Sequence, residues 1–158
     1  MARPSPRGNA LTQAPDAVAV YRRLRPTYQL YADALKSLLQ QLLRDSGIDY
    51  VTLETRAKSV EGFEEKARRG DKGYEDPLVE ITDLAGLRVV LYHANEMATV
   101  AGMVEAAFEV DWANSVDKTE TIDPDRFGYR STHYVVRLRA DRRELPEYKA
   151  FANLWAEI

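Results

Sequence analysis

The chain has 158 residues, of which 45% are apolar and 30% charged, and this suits a single domain with a sizeable core. Its 25 acidic and 22 basic residues give a net charge of −3, which argues against a general nucleic-acid binder but not against a local basic pocket. The absence of cysteine excludes disulfides, thiolate metal sites and cysteine nucleophiles.

The N-terminal segment, residues 1–15, is rich in proline, glycine and polar residues and is predicted to be disordered. Its positive charge is not followed by an apolar stretch, so it does not read as a signal peptide. No window of the sequence approaches the roughly 18 apolar residues that a membrane span needs. We therefore expect a cytoplasmic protein without a membrane partner.

Hydrophobic periodicity predicts the elements that follow. In chain order they are a helix over 17–44, a strand over 48–55, a helix over 59–69, a loop over 70–77, a helical turn over 78–82, a strand over 86–92, a helix over 95–107, strands over 108–118 and 131–139, a turn with a short helix over 141–151, and the start of a strand over 154–158. Asp16, Ser59 and Asn95 are the predicted helix caps, and Pro26 is expected to kink or divide the first helix. This order predicts an α+β fold, with a mixed β-sheet and flanking helices, over residues 16–158.

A first cluster of basic residues surrounds the predicted helix 59–69. Lys58, Gly62, Lys66 and Arg69 follow one another at steps of about four and share one face, and Arg56 precedes them. A basic stripe at the start of a helix is suited to polyphosphate, and a glycine within it lets a ligand approach the backbone. The alternative is a solvated helix with Glu–Lys pairs.

A second cluster lies at the start of the predicted strand 86–92, where Asp83 precedes Gly86 and Arg88. Loops at strand ends are where sheets with flanking helices place ligands, and Mg²⁺ is usually held by one or two carboxylates together with phosphate oxygens. The alternative is that Asp83 caps a turn and pairs with Arg88. Glu157, near the end of the chain, contributes to a site only if it meets Asp83.

A third cluster contains an aromatic ring among basic side chains. Tyr129 at the mouth of a strand can present its ring to a base, and Lys118, Arg130 and His133 can contact phosphate or base edges. The alternative is a tyrosine packed on a sheet and a histidine on a strand face.

Taken together, the four motifs resemble the synthetase domain of the RelA/SpoT family, especially the small alarmone synthetases. That family carries R-x-K-x-x-x-S-x-x-x-K, D-x-x-G-x-R, G-Y-R-S-x-H and E-I-Q-x-R-T. The matching residues are Arg56, Lys58 and Lys66; Asp83, Gly86 and Arg88; Gly128, Tyr129, Arg130, Ser131 and His133; and Glu157 and Ile158. The resemblance covers roughly residues 20 to 158 and implies the nucleotidyltransferase-like fold of RelA/SpoT synthetases.

The resemblance also implies a role for each residue. ATP would be held by Arg56, Lys58, Lys66 and Arg69, and Mg²⁺ would be bound by the catalytic carboxylates Asp83 and Glu157. Tyr129 would stack on the guanine of GDP or GTP, and Lys118 and His133 would contact the phosphates of that acceptor. Further candidates for phosphate binding are Arg88, Arg130 and Ser131. The implied reaction is attack of the acceptor's ribose 3′-hydroxyl on the β-phosphorus of ATP, which releases AMP and forms ppGpp or pppGpp. Such a transfer depends on positioning and charge neutralisation more than on covalent chemistry.

Several departures from the family pattern affect these expectations. Gly62 stands where the family has serine, and the segment before the guanine site keeps Lys118 but lacks the family's arginine. The chain stops at Ile158, before Q-x-R-T and the following helix, so we expect weak or absent activity for this chain. No hydrolase motif is found, because the only histidines are His93 and His133.

Two other functions remain open at this point. One is a toxin-like relative that pyrophosphorylates the 3′ end of tRNA, which the altered acceptor motif favours and the net charge of −3 opposes. The other is a non-catalytic nucleotide-sensing or assembly module. Because small synthetases often form homotetramers through terminal helices, a homo-oligomer is also open, reduced to a dimer or monomer when such a helix is absent.

Overall fold

The computed structural model describes residues 14–117 and 131–158. The helices are α1 Ala14–Asp45, α2 Val60–Ala67, α3 Pro77–Glu80, α4 Met97–Ala107 and α5 Ala140–Arg143, with 3-10 turns at Ala94–Glu96 and Lys149–Phe151. The strands are β1 Tyr50–Ala57, β2 Ala85–Leu91, β3 Phe108–Val110, β4 Val116–Asp117, β5 Thr132–His133, β6 Val135–Leu138 and β7 Ala156–Glu157.

Five of these strands form one mixed sheet in the order β1-β2-β7-β6-β3. The β2–β7 pair is parallel, and the other three neighbouring pairs are antiparallel. Strands β4 and β5 form a separate antiparallel pair. The predicted α+β fold, a mixed sheet with flanking helices, is confirmed. The sheet also places β2, near the middle of the chain, directly beside β7 at its end.

Helix α1 supplies much of the core along one face. Tyr21, Tyr31, Leu35, Leu39 and Leu43 have fully buried side chains at helical spacing. Its exposed side is mostly polar but includes Leu24 and Leu30. None of the described helices is long and apolar enough to cross a bilayer. The helix is therefore a surface helix that covers the sheet with one apolar stripe.

Pro26 does not divide this helix, so of the two expected outcomes, a kink or a division, the division is wrong. Pro26 lies inside the 32-residue α1, with buried Tyr21 before it and buried Tyr28 after it. An interior proline costs a helix about 3 kcal/mol. Burial of large side chains on both sides offsets this cost, because each contributes roughly 1.5–3 kcal/mol.

The predicted helix caps have different outcomes. Ser59 caps α2 as predicted, with its hydroxyl accepting a hydrogen bond from the Gly62 N–H at 3.0 Å. Asp16 lies within the first turn of α1, which begins at Ala14 and not at residue 17, where a cap at Asp16 would place its start. Asn95 is not a cap either, because it lies in the 3-10 turn that precedes α4. Short 3-10 turns at helix starts are common, and hydrophobic periodicity does not distinguish them.

The predicted strand over 108–118 is interrupted by a turn at Asp111. The Asp111 carboxylate accepts hydrogen bonds from the backbone N–H groups of Ala113 and Asn114. Aspartate readily forms such local turns, which compete with the strand. β3 consequently ends before this turn and β4 begins after it.

The predicted strand over 131–139 also divides, at Tyr134. There the backbone N–H and C=O both pair with Ile158, at 2.9 and 2.8 Å. The chain thus leaves its pairing with β4 and continues as β6 beside β7. The predicted strand at the end of the chain is present as β7.

Candidate functional site

The candidate site centres on Asp83, which precedes β2 and carries two lysines. Lys58 Nζ donates to Asp83 Oδ2 at 2.7 Å, and Lys66 Nζ donates to Asp83 Oδ1 at 2.9 Å. Lys58 follows β1, whereas Lys66 lies on α2, so three separate segments meet here. All three side chains are largely shielded from water, with exposed fractions of 17%, 28% and 18% for Lys58, Lys66 and Asp83.

Asp83 remains ionised in this setting. Burial acts to raise the pKa of the Asp83 carboxyl, but hydrogen bonds from Lys58 and Lys66 outweigh it and leave the pKa below its ordinary value. The sequence-based alternative of a solvated basic helix is therefore wrong for these two lysines. It describes Arg68 better, which forms an exposed pair with Glu64 on the same helix at 2.5 Å.

Glu157 reaches the same region through the sheet. It aligns with Gly86 across the parallel β2–β7 pair, and Gly86 aligns with Arg56 across β1–β2. Arg56, Gly86 and Glu157 thus form one row across three strands. A Cβ on Gly86 would lie 3.5 Å from Arg56 Cγ, in van der Waals contact, so the Arg56 side chain lies directly beside the Gly86 backbone.

His133 contacts Glu157 directly. Its Nδ1 lies 2.6 Å from Glu157 Oε1, which joins β5 to β7. Because an ionised carboxylate only accepts hydrogen bonds, Nδ1 is the protonated nitrogen when Glu157 is charged. The pair is about one third exposed, at 38% for His133 and 33% for Glu157, so both side chains are accessible from the cleft.

Asp83 and the His133–Glu157 pair line one cleft of about 670 Å³. Lys58 and Lys66 do not line it and are linked to it through their contacts with Asp83. Six predicted site residues line it: Arg56, Asp83, Arg88, Ser131, His133 and Glu157. One wall is apolar and comes from β2 and α4, including Met97 and Val104. Motifs separated by up to a hundred residues in sequence are thus brought to one concave surface.

Asp83 and Glu157 are the predicted site carboxylates at this surface that could take part in holding a cation together with ligand oxygens. Within residues 14–117 and 131–158, no group of three or more His, Cys, Asp or Glu side chains could hold a metal ion. Asp83 and Glu157 line one cleft, and each already has a cationic or N–H partner. Mg²⁺ is commonly bound through one or two carboxylates plus substrate phosphates.

Comparison with known families agrees with this geometry. The model of the family described as "Region found in RelA / SpoT proteins" matches residues 55–157, which is more than half of the chain. The chain belongs to the RelA/SpoT family. The matched region begins one residue before Arg56 and ends at Glu157, so it contains every residue that the sequence motifs single out except Ile158.

Individual relatives place the fold more closely. A probable guanosine-3′,5′-bis(diphosphate) 3′-pyrophosphohydrolase from Synechocystis sp. is 30% identical over 104 residues, which are 66% of this chain and 13% of that protein. Small alarmone synthetase 1 from Bacillus subtilis, solved bound to its product pppGpp, has 26% identity and a TM-score of 0.60 over 76% of this chain and 64% of its own. The fold is shared by a GTP pyrophosphokinase family protein from Streptococcus pneumoniae. It has 21% identity and a TM-score of 0.64 over 87% of this chain and 67% of its own.

Some predicted site residues of this RelA/SpoT chain are not joined to the others. Arg69 follows the end of α2, is 53% exposed, and pairs with Asp71 at 3.4 Å rather than with Asp83. Its predicted role at ATP stays a prediction. Lys118, Tyr129 and Arg130 lie outside the described residues.

Sequence reasoning missed a polar stripe on α1 that contacts the site's backbone. Tyr21 and Arg25 donate to the Lys58 carbonyl, and Gln29 accepts from the Ala57 N–H. The sequence did contain a signal for this stripe, because residues with hydrogen-bonding side chains recur every four positions along the helix. That helix was interpreted only for its apolar face. All three residues precede the region that matches the family.

Proposed function

We propose that this chain transfers the pyrophosphate of ATP to the ribose 3′-hydroxyl of GDP or GTP, with Mg²⁺, to make (p)ppGpp. The observation that supports this most directly is the Lys58–Asp83–Lys66 arrangement at a cleft that also holds the His133–Glu157 pair. Membership of the RelA/SpoT family and the likeness to a synthetase bound to pppGpp agree with it.

In the proposed reaction, the acceptor's 3′-oxygen attacks the β-phosphorus of ATP. A new O–P bond forms while the bond from the β-phosphorus to the oxygen bridging it to the α-phosphate breaks. AMP leaves with that oxygen, and the 3′-hydroxyl proton goes to a base. The products are AMP and ppGpp or pppGpp, so no oxidant or further reactant is needed.

Lys58 and Lys66 are proposed to neutralise the transferred pyrophosphate. Both ammonium groups are held beside the cleft by Asp83, which lines it. Each ammonium has three N–H donors, so it can bind a phosphate oxygen in addition to Asp83. Each ammonium that turns towards phosphate leaves an Asp83 oxygen more available to a cation. Mg²⁺ bound there would supply further charge neutralisation and orient the phosphates.

Glu157 is proposed as the base that takes the 3′-hydroxyl proton and as the second Mg²⁺ ligand. Its Oε1 is held by His133 Nδ1, which leaves Oε2 for the acceptor or the ion. In the proposal Arg56 and Arg69 bind ATP together with the two lysines, and Lys118, Tyr129 and His133 bind the acceptor. Arg88, Arg130 and Ser131 are further phosphate-site candidates.

The decisive experiment uses Mg²⁺ and ATP labelled at the β- or γ-phosphate with GDP, GTP or tRNA as acceptor. Label in ppGpp or pppGpp, at a low rate in keeping with the weak activity expected from the sequence and abolished by Asp83→Asn and by Glu157→Gln, is the expected result. Label in tRNA would replace the proposed acceptor. If no acceptor is labelled although a non-hydrolysable ATP analogue binds, the catalytic proposal fails and a nucleotide-binding module remains.

A further inference from the structure

The end of strand β1 is completed by side chains rather than by another strand. β1 lies at the edge of the five-stranded sheet, with β2 on one side. On its other side Gln29 Oε1 accepts from the Ala57 N–H at 2.8 Å, and Arg25 Nη2 donates to the Ala57 carbonyl at 3.3 Å. Side chains of α1 therefore satisfy the strand's outward backbone groups, which would otherwise need water or another strand.

The backbone carbonyl of the next residue, Lys58, accepts hydrogen bonds from two side chains of α1. The Tyr21 hydroxyl donates to the Lys58 carbonyl at 2.7 Å, and Arg25 Nε donates to the same oxygen at 3.0 Å. On the opposite side the Lys58 N–H donates to the Leu84 carbonyl at 2.9 Å. The backbone of Lys58 is thus tied both to α1 and to the segment that carries Asp83.

Tyr21 is held firmly enough to serve as such an anchor. Its side chain is fully buried, and its ring stacks on Phe63 of α2 with a centroid distance of 4.4 Å and an interplanar angle of 22°. Burial raises the pKa of the Tyr21 hydroxyl to about 12, so it remains a protonated donor at neutral pH. Because Phe63 lies one turn before Lys66, the same tyrosine contacts the segments that carry both lysines.

The stripe continues for one more step along α1. Gln29 Nε2 lies 3.1 Å from Asp33 Oδ1 and 3.3 Å from Thr55 Oγ1, and the Thr55 hydroxyl donates to that carboxylate oxygen at 2.6 Å. Tyr21, Arg25, Gln29 and Asp33 recur every four residues, which places them on one face of the helix. The contacts of Nε2 with Asp33 and Thr55 therefore fix the orientation of the Gln29 amide, whose oxygen accepts from the Ala57 N–H.

We propose that Tyr21, Arg25 and Gln29 are positioning residues, which fix the backbone at Ala57–Lys58 and thereby set where the Lys58 ammonium stands beside Asp83. None of the three is among the residues that line the cleft, and in the proposal they act through Lys58. The inference rests on the proposed function for its consequence in ATP binding, but its structural part is measurable without it.

Such positioning has a physical purpose. A lysine side chain is flexible because it has four rotatable bonds. The position of its ammonium group can therefore be defined only if the backbone from which it extends is fixed. A displacement of about 1 Å in a phosphoryl-transfer site costs on the order of 100-fold in rate. Three hydrogen bonds to one residue's backbone reduce that freedom before any ligand arrives.

The test removes the donors while keeping the shapes. Tyr21→Phe retains the ring on Phe63, and Arg25→Met retains an unbranched side chain without the guanidinium. We expect Tyr21→Phe, which loses one hydrogen bond, to weaken binding of a non-hydrolysable ATP analogue about 3–10-fold, and Arg25→Met, which loses two, to weaken it at least as much. Arg22→Met, on an exposed position of the same helix, is the control and should leave the affinity unchanged.

A double-mutant cycle separates positioning from general stability. In a Lys58→Met background the Tyr21 and Arg25 substitutions should cause no further loss of affinity, because the ammonium through which they act is gone. Losses that simply add to that of Lys58→Met would overturn the inference.

Hydrogen exchange of the backbone amides tests the same idea without nucleotide. In Arg25→Met the Lys58 amide should exchange at least about tenfold faster, while the Leu53 amide in the middle of β1 keeps its rate. If the wild type binds no ATP analogue but this local change occurs, the proposed function fails and the anchoring stands. If the Lys58 amide is unaffected in both variants, the anchoring itself is refuted.

Discussion

At the level of single residues, the site is built around competition for Asp83. Its carboxylate is partly buried, and each of its oxygens accepts from a different lysine. Hydrogen bonds between charged partners contribute more than neutral ones, typically about 1.5–3 kcal/mol. The same contacts hold both ammonium groups at the cleft, so they link the stability of the chain to the proposed binding of phosphate.

Lys66 and Arg69 offer a matched test of which cations serve the nucleotide. Both are predicted to bind ATP, but only Lys66 contacts Asp83, while Arg69 pairs with Asp71. We expect Lys66→Met to weaken binding of a non-hydrolysable ATP analogue about tenfold or more, and Arg69→Met by less than about threefold. Calorimetric titration measures both. Equal losses would show that Arg69 moves into the site when ATP binds.

The pH dependence of stability follows from the lowered pKa of Asp83. A carboxyl group with a depressed folded-state pKa contributes stability above its unfolded pKa of about 3.9, and this contribution is lost as pH falls through the folded pKa. Asp83→Asn should therefore lower the free energy of unfolding by about 1–3 kcal/mol at pH 7. The difference from the wild type should shrink below pH 4.

Urea unfolding of both proteins at pH 7, 5, 4 and 3 measures this difference. Asp71→Asn is a suitable control, because Asp71 is an exposed carboxylate that is 63% accessible in its pair with Arg69. It should show little change at any pH. A constant deficit for Asp83→Asn across the pH range would instead indicate a loss of packing.

At the level of elements, α2 carries Lys66 and starts at the Ser59 cap, directly after Lys58. Gly62 takes part, since its N–H donates to the Ser59 hydroxyl. A Cβ at Gly62 would lie 2.9 Å from that hydroxyl oxygen and 3.7 Å from Lys58 Cγ. Glycine at this position thus keeps the cap and the lysine in place, although it lowers helix propensity.

Gly62→Ala should consequently give little or no net gain in stability. The better helix propensity contributes about 1 kcal/mol, but displacement of Ser59 from its capping position costs about the same. Gly102→Ala in α4 is the comparison, because a Cβ there meets nothing within 4 Å. It should raise the free energy of unfolding by about 0.5–1 kcal/mol in urea unfolding. Equal gains for the two variants would contradict the cap argument.

At the level of the whole molecule, the mixed sheet converts distant motifs into one surface. The parallel pairing of β2 with β7 puts Glu157 beside Gly86, three residues from Asp83. Helix α1 covers the sheet and reaches the end of β1 with its polar stripe. A nucleotide bound at the cleft would therefore contact strands from both halves of the chain, and its binding should stabilise the domain as a unit.

Thermal unfolding gives the corresponding prediction. At about 100 times its Kd, a non-hydrolysable ATP analogue with Mg²⁺ should add about 2.7 kcal/mol of stability, which raises Tm by roughly 5–10 °C for a chain of this size. Mg²⁺ alone should change Tm little, because both Asp83 oxygens are held by lysines. An equal rise with Mg²⁺ alone would show a metal site that needs no phosphate.

Much of the element pattern and the chemistry was predictable because it is encoded locally. The Ser59 cap, the strand β2 and the apolar stripe of α1 follow from residues within a few positions of one another. The four motifs likewise indicated a phosphate-handling site and its family. Local signals failed at element boundaries, as at Asn95, which lies in a 3-10 turn before α4, and at Asp111, whose side chain forms a turn that interrupts the strand.

What only the tertiary structure decided are the partners across sequence distance. Lys58 and Lys66 meet Asp83 from 25 and 17 residues away, and the Tyr21 hydroxyl reaches the Lys58 carbonyl from 37. Periodicity reports which face of an element is buried but not which backbone group another element's side chain will reach. The sequence by itself therefore determined the elements and the kinds of charge at the site. The packing of α1 on the edge of the sheet determined where those charges stand, because that geometry depends on all the elements together.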